Sequence, residues 1–375
     1  MKLTLPRAPL AKALDFVTRA AERRTTIPIL SNVRLEADAC GWLTLVATDL
    51  DLEATVSVDA RIDAAGALTV AAATLHDLVK KLADKADVTL ESLDGDARLS
   101  VRAGRAKFAL QALPVADWPD ITTGQMSHVF SLPAKTLARA LAKVSFAIST
   151  EETRYYLNGI YMHVAGTGDG AKLRFVATDG HRLARFECDA PQGAEGMPGI
   201  IIPSKCCKEI ANLAKAADDA GAFKISLNAS KILFEIDRAA IVSKLIDGSY
   251  PDYERIIPKN EARATLNRAE MAQATERVAT ISSERGRAVK LDFSDAKLAL
   301  SVTNPDIGAA NEEIDADCDA GPLQIGFNAR YLTEVLSTLD GDEVTVELGD
   351  SGSPTIFRSP AAEDLLVVLM PMRVS

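Results

Sequence analysis

Histidine and aromatic side chains are scarce in this sequence: four histidines, and Phe, Trp and Tyr at 5% of 375 residues. His76, His128 and His163 show no metal-ligand spacing. No G-x-x-x-x-G-K-[ST], H-E-x-x-H or G-x-S-x-G occurs. Gly166, Gly168 and Gly170 fall between two strand-like runs and read as a hairpin loop, not a phosphate cradle. No cofactor or metal is therefore expected. Cys40, Cys188, Cys206, Cys207 and Cys318 are odd in number and scattered, without a C-x-x-C, and the adjacent pair suits zinc poorly. Reduced thiols in a cytoplasmic compartment are the expectation. No run of 18 or more apolar residues is present, so no membrane-spanning helix is expected. The start, MKLTLPRAPLAKALDFVTRA, has charges throughout and no apolar core, so it does not read as a signal peptide. Basic charge is short as well: 42 Lys and Arg against 52 Asp and Glu give a net −10. A simple nucleic-acid coat needs a basic footprint and an aromatic groove, and this chain has neither.

What is present is a threefold repeat. LAKALDFVTRAAERR, LPAKTLARALAKVSFAIS and LNRAEMAQATERVATIS each read as an amphipathic helix. Each leads to a strand pair that turns at Thr48-Asp49, Thr178-Asp179 and Thr303-Asn304, spaced by 130 and 125 residues. The second halves match too. ALTVAAATLHDLVKKL, GIIIPSKCCKEIANLA and PLQIGFNARYLTEVL each read as strand then helix, followed by alternating strands. Two proline-bearing linkers, LPVADWPDITTG and DGSYPDYERIIPKN, place domain boundaries near 123 and 258. The expected domains are 1–123, 124–258 and 259–375, each helix–sheet–helix–sheet, an α+β class.

Charge divides unevenly over those thirds. Basic against acidic residues number 15 to 17, 16 to 15 and 11 to 20. Acid collects in the third, at Glu312, Glu313, Asp315, Asp317 and Asp319, while the first carries Arg98, Arg102, Arg105 and Lys107 on one strand pair. Opposite charge at the two ends suits head-to-tail association of copies. The competing reading is a solvated surface that keeps the protein dispersed.

The helices carry basic faces opposite their apolar ones. Lys12, Arg19 and Arg23 lie away from Leu10, Ala13, Leu14 and Val17. Lys135, Arg139 and Lys143 recur at i, i+4, i+8, away from Leu137, Leu141 and Val144. Lys80, Lys81, Lys205, Lys208 and Lys215 add to them, and the third repeat offers Arg268, Arg277 and Arg330. Each face alone reads as solvated surface; recurrence in an acidic chain favours a shared anionic partner. Twelve helices of ~10 Å diameter, six units of two, would form a circle about 38 Å across through their axes, wide enough for duplex DNA.

Five motifs then stand in order: RTTIPILSN (Arg24–Asn32), RYYLNG (Arg154–Gly159), ATDGHRLA (Ala177–Ala184), YPDY (Tyr250–Tyr253) and MPMR (Met370–Arg373). Together with the repeats, and over the whole chain, they resemble the bacterial DNA sliding clamp family, the β subunit of DNA polymerase III. The resemblance implies a non-catalytic processivity factor with the DNA-clamp fold. It implies a head-to-tail homodimeric ring, helices lining the hole and sheets outside. It also implies a cleft between the second and third domains for apolar peptides, often with a glutamine, of polymerases, clamp loader and repair proteins. Carried over motif by motif, that cleft uses Leu157, Thr178, Gly180, His181, Arg182 and Leu183. Pro251, Arg255, Ile256 and Ser353 follow, then Val368, Leu369, Met370, Pro371, Met372 and Arg373. Arg24, Tyr155 and Tyr156 match positions that meet DNA, joined by the helix cations Arg139, Lys143, Lys205 and Lys208. Phe108, Leu110 and Ile281 match the subunit interface, beside the basic strand pair. The tail departs from the family with Val374 in place of Leu and a further Ser375.

The repeats serve as an internal control. Thr178 and Asp179 have counterparts in every unit and read as structural, whereas His181 and Arg182 have none. A basic pair beside an apolar tail suits a peptide's carbonyls or carboxylates; a chance hairpin pair is the alternative. Val367 and Leu369 read as a core strand, and Met370 and Met372 around Pro371 as an adaptable groove. Tyr155 and Tyr156 could pack, or meet DNA. The rival class is an enzyme using Asp179 and His181 for acid–base chemistry, and no second acidic or nucleophilic cluster supports it.

Overall fold

The computed structural model describes residues 1–119, 121, 124–217, 220–282, 288–294, 296–319 and 321–373. The expected boundary residue Thr123 and the tail residues Val374 and Ser375 lie outside the described residues. Among these, the helices are Arg7–Val17 (α1), Ala72–Lys81 (α2), Ala134–Val144 (α3), Ser204–Ala216 (α4), Arg268–Ala279 (α5) and Ala329–Thr338 (α6). Every one follows directly on a short strand, a feature the helix periodicity alone did not show for α1, α3 and α5. The junctions explain the sharp change of direction. Pro6, Pro133 and Pro203 end the strands before α1, α3 and α4, where a fixed φ and a missing N–H suit a helix entry. Before α5 and α6 the side chains of Asn267 and Asn328 accept from Glu270 N and Tyr331 N, at 2.9 and 3.2 Å. The buried stripes fall at helical spacing: Leu10, Ala13, Leu14 and Val17 on α1; Met271, Ala274, Thr275 and Val278 on α5.

By internal contacts the chain forms two compact units. Unit 1 comprises Met1–Ala138, Pro191–Ala194 and Lys208–Leu245; unit 2 comprises Arg139–Ala190, Glu195–Cys207 and Ile246–Ser375. These units cut across the three expected sequence domains, because the strands of the middle third are shared between two sheets.

Unit 1 holds one 13-stranded antiparallel sheet. Within it Leu52–Asp59, the strand after the Thr48-Asp49 turn, pairs with Ala239–Lys244, with Ala54 opposite Ile241. Unit 2 holds a 12-stranded sheet. There Arg182–Asp189, the strand after the Thr178-Asp179 turn, pairs with Ala362–Leu369, with Ala184 opposite Val367. One rule describes both: the strand after the turn of one repeat pairs with the last strand of the next. Among the described residues, two strands have no such partner. Ala106–Leu113, last in repeat one, meets Gly66–Ala71 only at Leu113 and Ala112. Gly308–Cys318, after the third turn, meets Ala262–Asn267 only at Ala316, Asp317 and Cys318.

Candidate peptide-binding cleft

The candidate site lies wholly in unit 2 and starts from the Thr178–Arg182 turn. Thr178 Oγ1 donates to Arg182 O at 2.7 Å and accepts from Gly180 N at 3.1 Å. Asp179 Oδ1 accepts from His181 N and Arg182 N at 2.9 and 3.0 Å. Short hydroxyl and carboxylate side chains thus satisfy a reversal that two strands leave open. Gly180 sits at φ +88°, the left-handed region that favours glycine. The imidazole of His181 is exposed and faces the Tyr331 ring at 6.2 Å.

Arg182 departs from the sequence expectation. Its guanidinium is buried, bonded to Asp179 at 3.1 Å and to Glu334, with Tyr331 at 4.4 Å and Phe146 at 5.1 Å. Two carboxylates and two rings already occupy it, so it braces the turn rather than offering a free cation. Glu334 in turn sits below the ordinary carboxylate range: burial pushes its pKa up, but bonds from Arg182 and Arg330 outweigh that.

The tail is tied to this turn by its backbone. Met370 N donates to His181 O at 2.8 Å, and Met372 N donates to Gly326 O at 2.7 Å. Pro371 stands between them without an N–H. Met370, Pro371 and Met372 are half-buried and Arg373 is exposed. Beneath lies an apolar cluster of Val176, Leu183, Tyr253, Ile356, Leu366 and Val368, with Tyr161, Tyr250 and Ile257 against it. Leu183 is opposite Val368 in the ladder, and Leu369 opposite both Arg182 and Thr355. The linker contributes half-buried Pro251, exposed Ile256, and Arg255, which is paired to Asp252 at 2.7 Å. Leu157 is buried at the end of the 3-10 turn Glu152–Leu157. Ser353 caps a separate turn, bonded to Asp350 at 2.9 Å, two residues before Thr355.

Several participants escaped the sequence reading. Tyr161 stacks on Tyr250 at 4.7 Å and 4°, and on His163 at 4.8 Å. His163 Nε2 lies 2.9 Å from the Tyr253 hydroxyl, which also accepts from Arg174 at 3.2 Å. Burial raises the phenol pKa values of Tyr161, Tyr250 and Tyr253 and lowers that of His163. Period-two alternation puts Tyr161 and His163 on one strand face, a signal that was available. Their meeting with the linker tyrosines, and that of Glu334 and Tyr331 with Arg182, depends on long-range packing.

The other expected residues divide between the units. Arg24 is exposed in unit 1. Tyr155 is exposed and Tyr156 half-buried in unit 2, their rings edge to face at 5.8 Å. Lys205 and Lys208 are exposed on α4. Arg139 and Lys143 are a correction to the picture of a free basic face. Arg139 pairs with Asp364 at 2.8 Å and Asp340 at 2.6 Å; Lys143 bonds Asp340 at 2.6 Å and Thr338 O. Their charge is compensated inside unit 2, and a phosphate would have to displace carboxylates. Phe108 is exposed on the strand with the unpaired edge, and Leu110 is half-buried there. Arg105 and Lys107 are exposed nearby, while Arg98 pairs with Asp94 and Arg102 with Glu91. Ile281 is half-buried and its carbonyl accepts from Asn304 Nδ2 at 2.9 Å. Exposed Ile307, three residues on from Asn304, went unnoticed in the sequence.

The enzyme reading does not hold. The Asp179 carboxylate is used by the turn and by Arg182, and the His181 ring faces Tyr331 instead of Asp179. Burial pushes the Cys188 thiol up to about 11 and raises Cys207 as well, so neither is an activated nucleophile. Among the described residues no helix is long and apolar enough to cross a membrane.

Fold and site together define a clamp-type protein of repeated α+β units. Family models of the DNA polymerase III beta subunit match throughout: N-terminal domain at 1–122, central domain at 131–252, C-terminal domain at 254–373. The chain is 45% identical over 375 residues to the beta sliding clamp of Caulobacter vibrioides, covering 100% of both. A solved C. crescentus beta sliding clamp matches with TM-score 0.96 and 45% identity, covering 100% of this chain and 99% of that one. A DnaN sliding clamp of Bartonella birtlesii, bound to griselimycin, matches with TM-score 0.95 and 45% identity over 100% of both. The chain belongs to the beta sliding clamp family, the beta subunit of DNA polymerase III. It is a non-catalytic processivity factor of DNA replication.

Proposed function

We propose that two copies close head to tail into a ring around duplex DNA, in the cytoplasm, and tether polymerases, clamp loader and repair proteins through the unit 2 cleft. The observation that carries the ring is the strand joint that occurs twice within the chain. Ile241 stands two residues past the hairpin residue Ala239, as Phe108 stands two past Ala106. Ile241 is fully buried by its joint; Phe108 is 41% exposed. The same joint, made a third time by Ala106–Leu113 of one copy and Gly308–Cys318 of another, covers Phe108 and uses both unpaired edges. It also brings Arg105 and Lys107 to an acidic strand, although Glu312 and Glu313 already pair with Arg277 and Lys297 at 2.9 Å each. Such a contact is heterologous and closes when the rotation allows.

The exposed lysines of α4, with Lys12 and Arg23 of α1, suit phosphate contacts, which carry no sequence information and weaken with salt. Arg24, Tyr155 and Tyr156 are further DNA contacts in this reading. The cleft raises the local concentration of a tethered polymerase without adding catalytic groups.

Small-angle scattering at micromolar concentration should give twice the 40.0 kDa chain mass and a hollow distance profile. Phe108→Asp should leave one chain mass, because an unpaired carboxylate would be buried in the joint. An unchanged dimer would refute the placement. In the same ring, Met370→Ala with Pro371→Ala should weaken polymerase binding about tenfold, a loss of about 1.4 kcal/mol. Undiminished binding would remove the tail from the cleft.

A further inference from the structure

We infer that Tyr253, held by His163 and Arg174, pins the linker that walls the peptide cleft, and that this pin loosens as His163 takes up a proton. The inference rests on the cleft reading above and adds to it a positioning residue and a pH response. Tyr253 is buried and belongs at once to two environments on one sheet face. Its ring joins the apolar cluster with Leu183, Ile356 and Val368. Its hydroxyl leaves that cluster to meet Arg174 at 3.2 Å and His163 Nε2 at 2.9 Å. His163 Nδ1 lies 3.2 Å from Val164 O.

These contacts set a direction. Arg174 can only donate, so the Tyr253 oxygen accepts from it; Val164 O can only accept, so a neutral His163 donates from Nδ1 and its Nε2 accepts from the Tyr253 O–H. The imidazole then keeps its proton on Nδ1, toward Val164 O, and is neutral. A second proton on Nε2 would put a donor against a hydroxyl whose own proton already points there. It would also add a third cation to a face where Arg174 and Arg185 are already matched one to one by Glu187 and Glu254. Tyr161, Tyr250 and Tyr253 are titratable groups on that face, and Arg358, paired with Glu347 at 3.0 Å, lies beyond Arg185. Burial, with Arg174 and Arg185 nearby, holds the His163 pKa below its ordinary 6.5. The sign follows: the pin is intact above pH 6.5 and is lost as pH falls from there through the folded value.

The test is binding of a capped synthetic peptide of apolar residues and one glutamine, without ionisable groups, measured by fluorescence anisotropy from pH 8 to 5.5. The wild-type ring should lose affinity about fivefold over that range. His163→Gln keeps an acceptor but cannot titrate, and should show a flatter profile. Tyr253→Phe keeps the ring and loses the hydroxyl, and should bind about fivefold more weakly at pH 8 while unfolding as one cooperative transition. Superimposed profiles for wild type and His163→Gln overturn the pH response, and full affinity of Tyr253→Phe overturns the pin. No wild-type binding at pH 8 sinks the cleft reading itself, a different outcome from either.

Discussion

The joint of unit 1 and the joint of unit 2 share a backbone and differ in side chains. The turn bonds of Thr178 and Asp179 have copies in Thr48 and Asp49, at 2.7 to 3.0 Å. Met370 N to His181 O has its copy in Lys244 N to Asp51 O, at 2.8 Å in both. On top of that common frame the chemistry diverges. Lys244 and Asp51 form an ion pair at 2.9 Å where unit 2 has Met370 and His181. By strand register, Arg34, Glu53 and Ala240 of unit 1 take the places of Tyr161, Leu183 and Leu366 of unit 2. One face is polar, with a cavity lined by Arg34, Glu53, Thr55 and Trp118; the other is an apolar cluster beside the tail. On the helix side the polarity is exchanged. Unit 1 has an apolar groove lined by Phe16, Val56, Val58 and Leu213 near Lys12, whereas unit 2 has the Arg139–Lys143–Asp340–Asp364 cluster. The lesson is that this fold fixes a location, and a few substitutions decide whether it becomes a docking site.

The sharpest way to break the contrast is to give unit 2 the residue of unit 1. Leu183→Glu buries a carboxylate among Val176, Ile356 and Val368. It should cost on the order of 3 kcal/mol in urea unfolding and abolish peptide binding while the ring persists. Retained binding would show that the apolar floor is not what the cleft offers.

A smaller effect lies in the turns. Leu50 holds φ +79° where Gly180 holds +88°. Leu50→Gly removes about 1–2 kcal/mol of left-handed strain against about 0.5–1 kcal/mol of added chain entropy. Stability should rise by up to about 1.5 kcal/mol with the sheet register unchanged; a fall would mean Leu50 contributes packing that outweighs its strain.

The smallest effect concerns acid. Burial raises the Asp340 pKa, but bonds from Lys143 and Arg139 prevail and hold it below its ordinary 3.8. A depressed carboxylate contributes stability that is present above its ordinary value and lost as pH falls through the folded one. Hydrogen exchange should therefore show α3 and α6 losing protection below pH 3.8 before α1 does. Asp340→Asn should remove that difference; equal acid sensitivity in wild type would refute it.

Legibility from the sequence followed the range of the interaction. The repeat, the helix faces and the Thr-Asp turns are local patterns, and the structure keeps them. The boundaries expected from prolines divide the sequence, while strand pairing joins different thirds across them. Among site residues, the Met370–Met372 tail was visible because proline between methionines is foreign to a strand. The partners of Arg182 were not legible, since Glu334 is 152 residues away and its approach leaves no mark in local sequence. The pairing of Arg139 and Lys143 was hidden for the same reason, their carboxylates coming from Asp340 and Asp364.

By itself, then, the sequence determined the periodic things. Three repeats with one order of parts, helix and strand faces and self-satisfied turns are set by neighbours a few residues apart, and they suffice for the α+β clamp class. Tertiary structure alone decided which charges are spent and which side chains face a partner. Those outcomes depend on strands hundreds of residues apart sharing one ladder, where a side chain's neighbours are chosen by register and not by order in the chain.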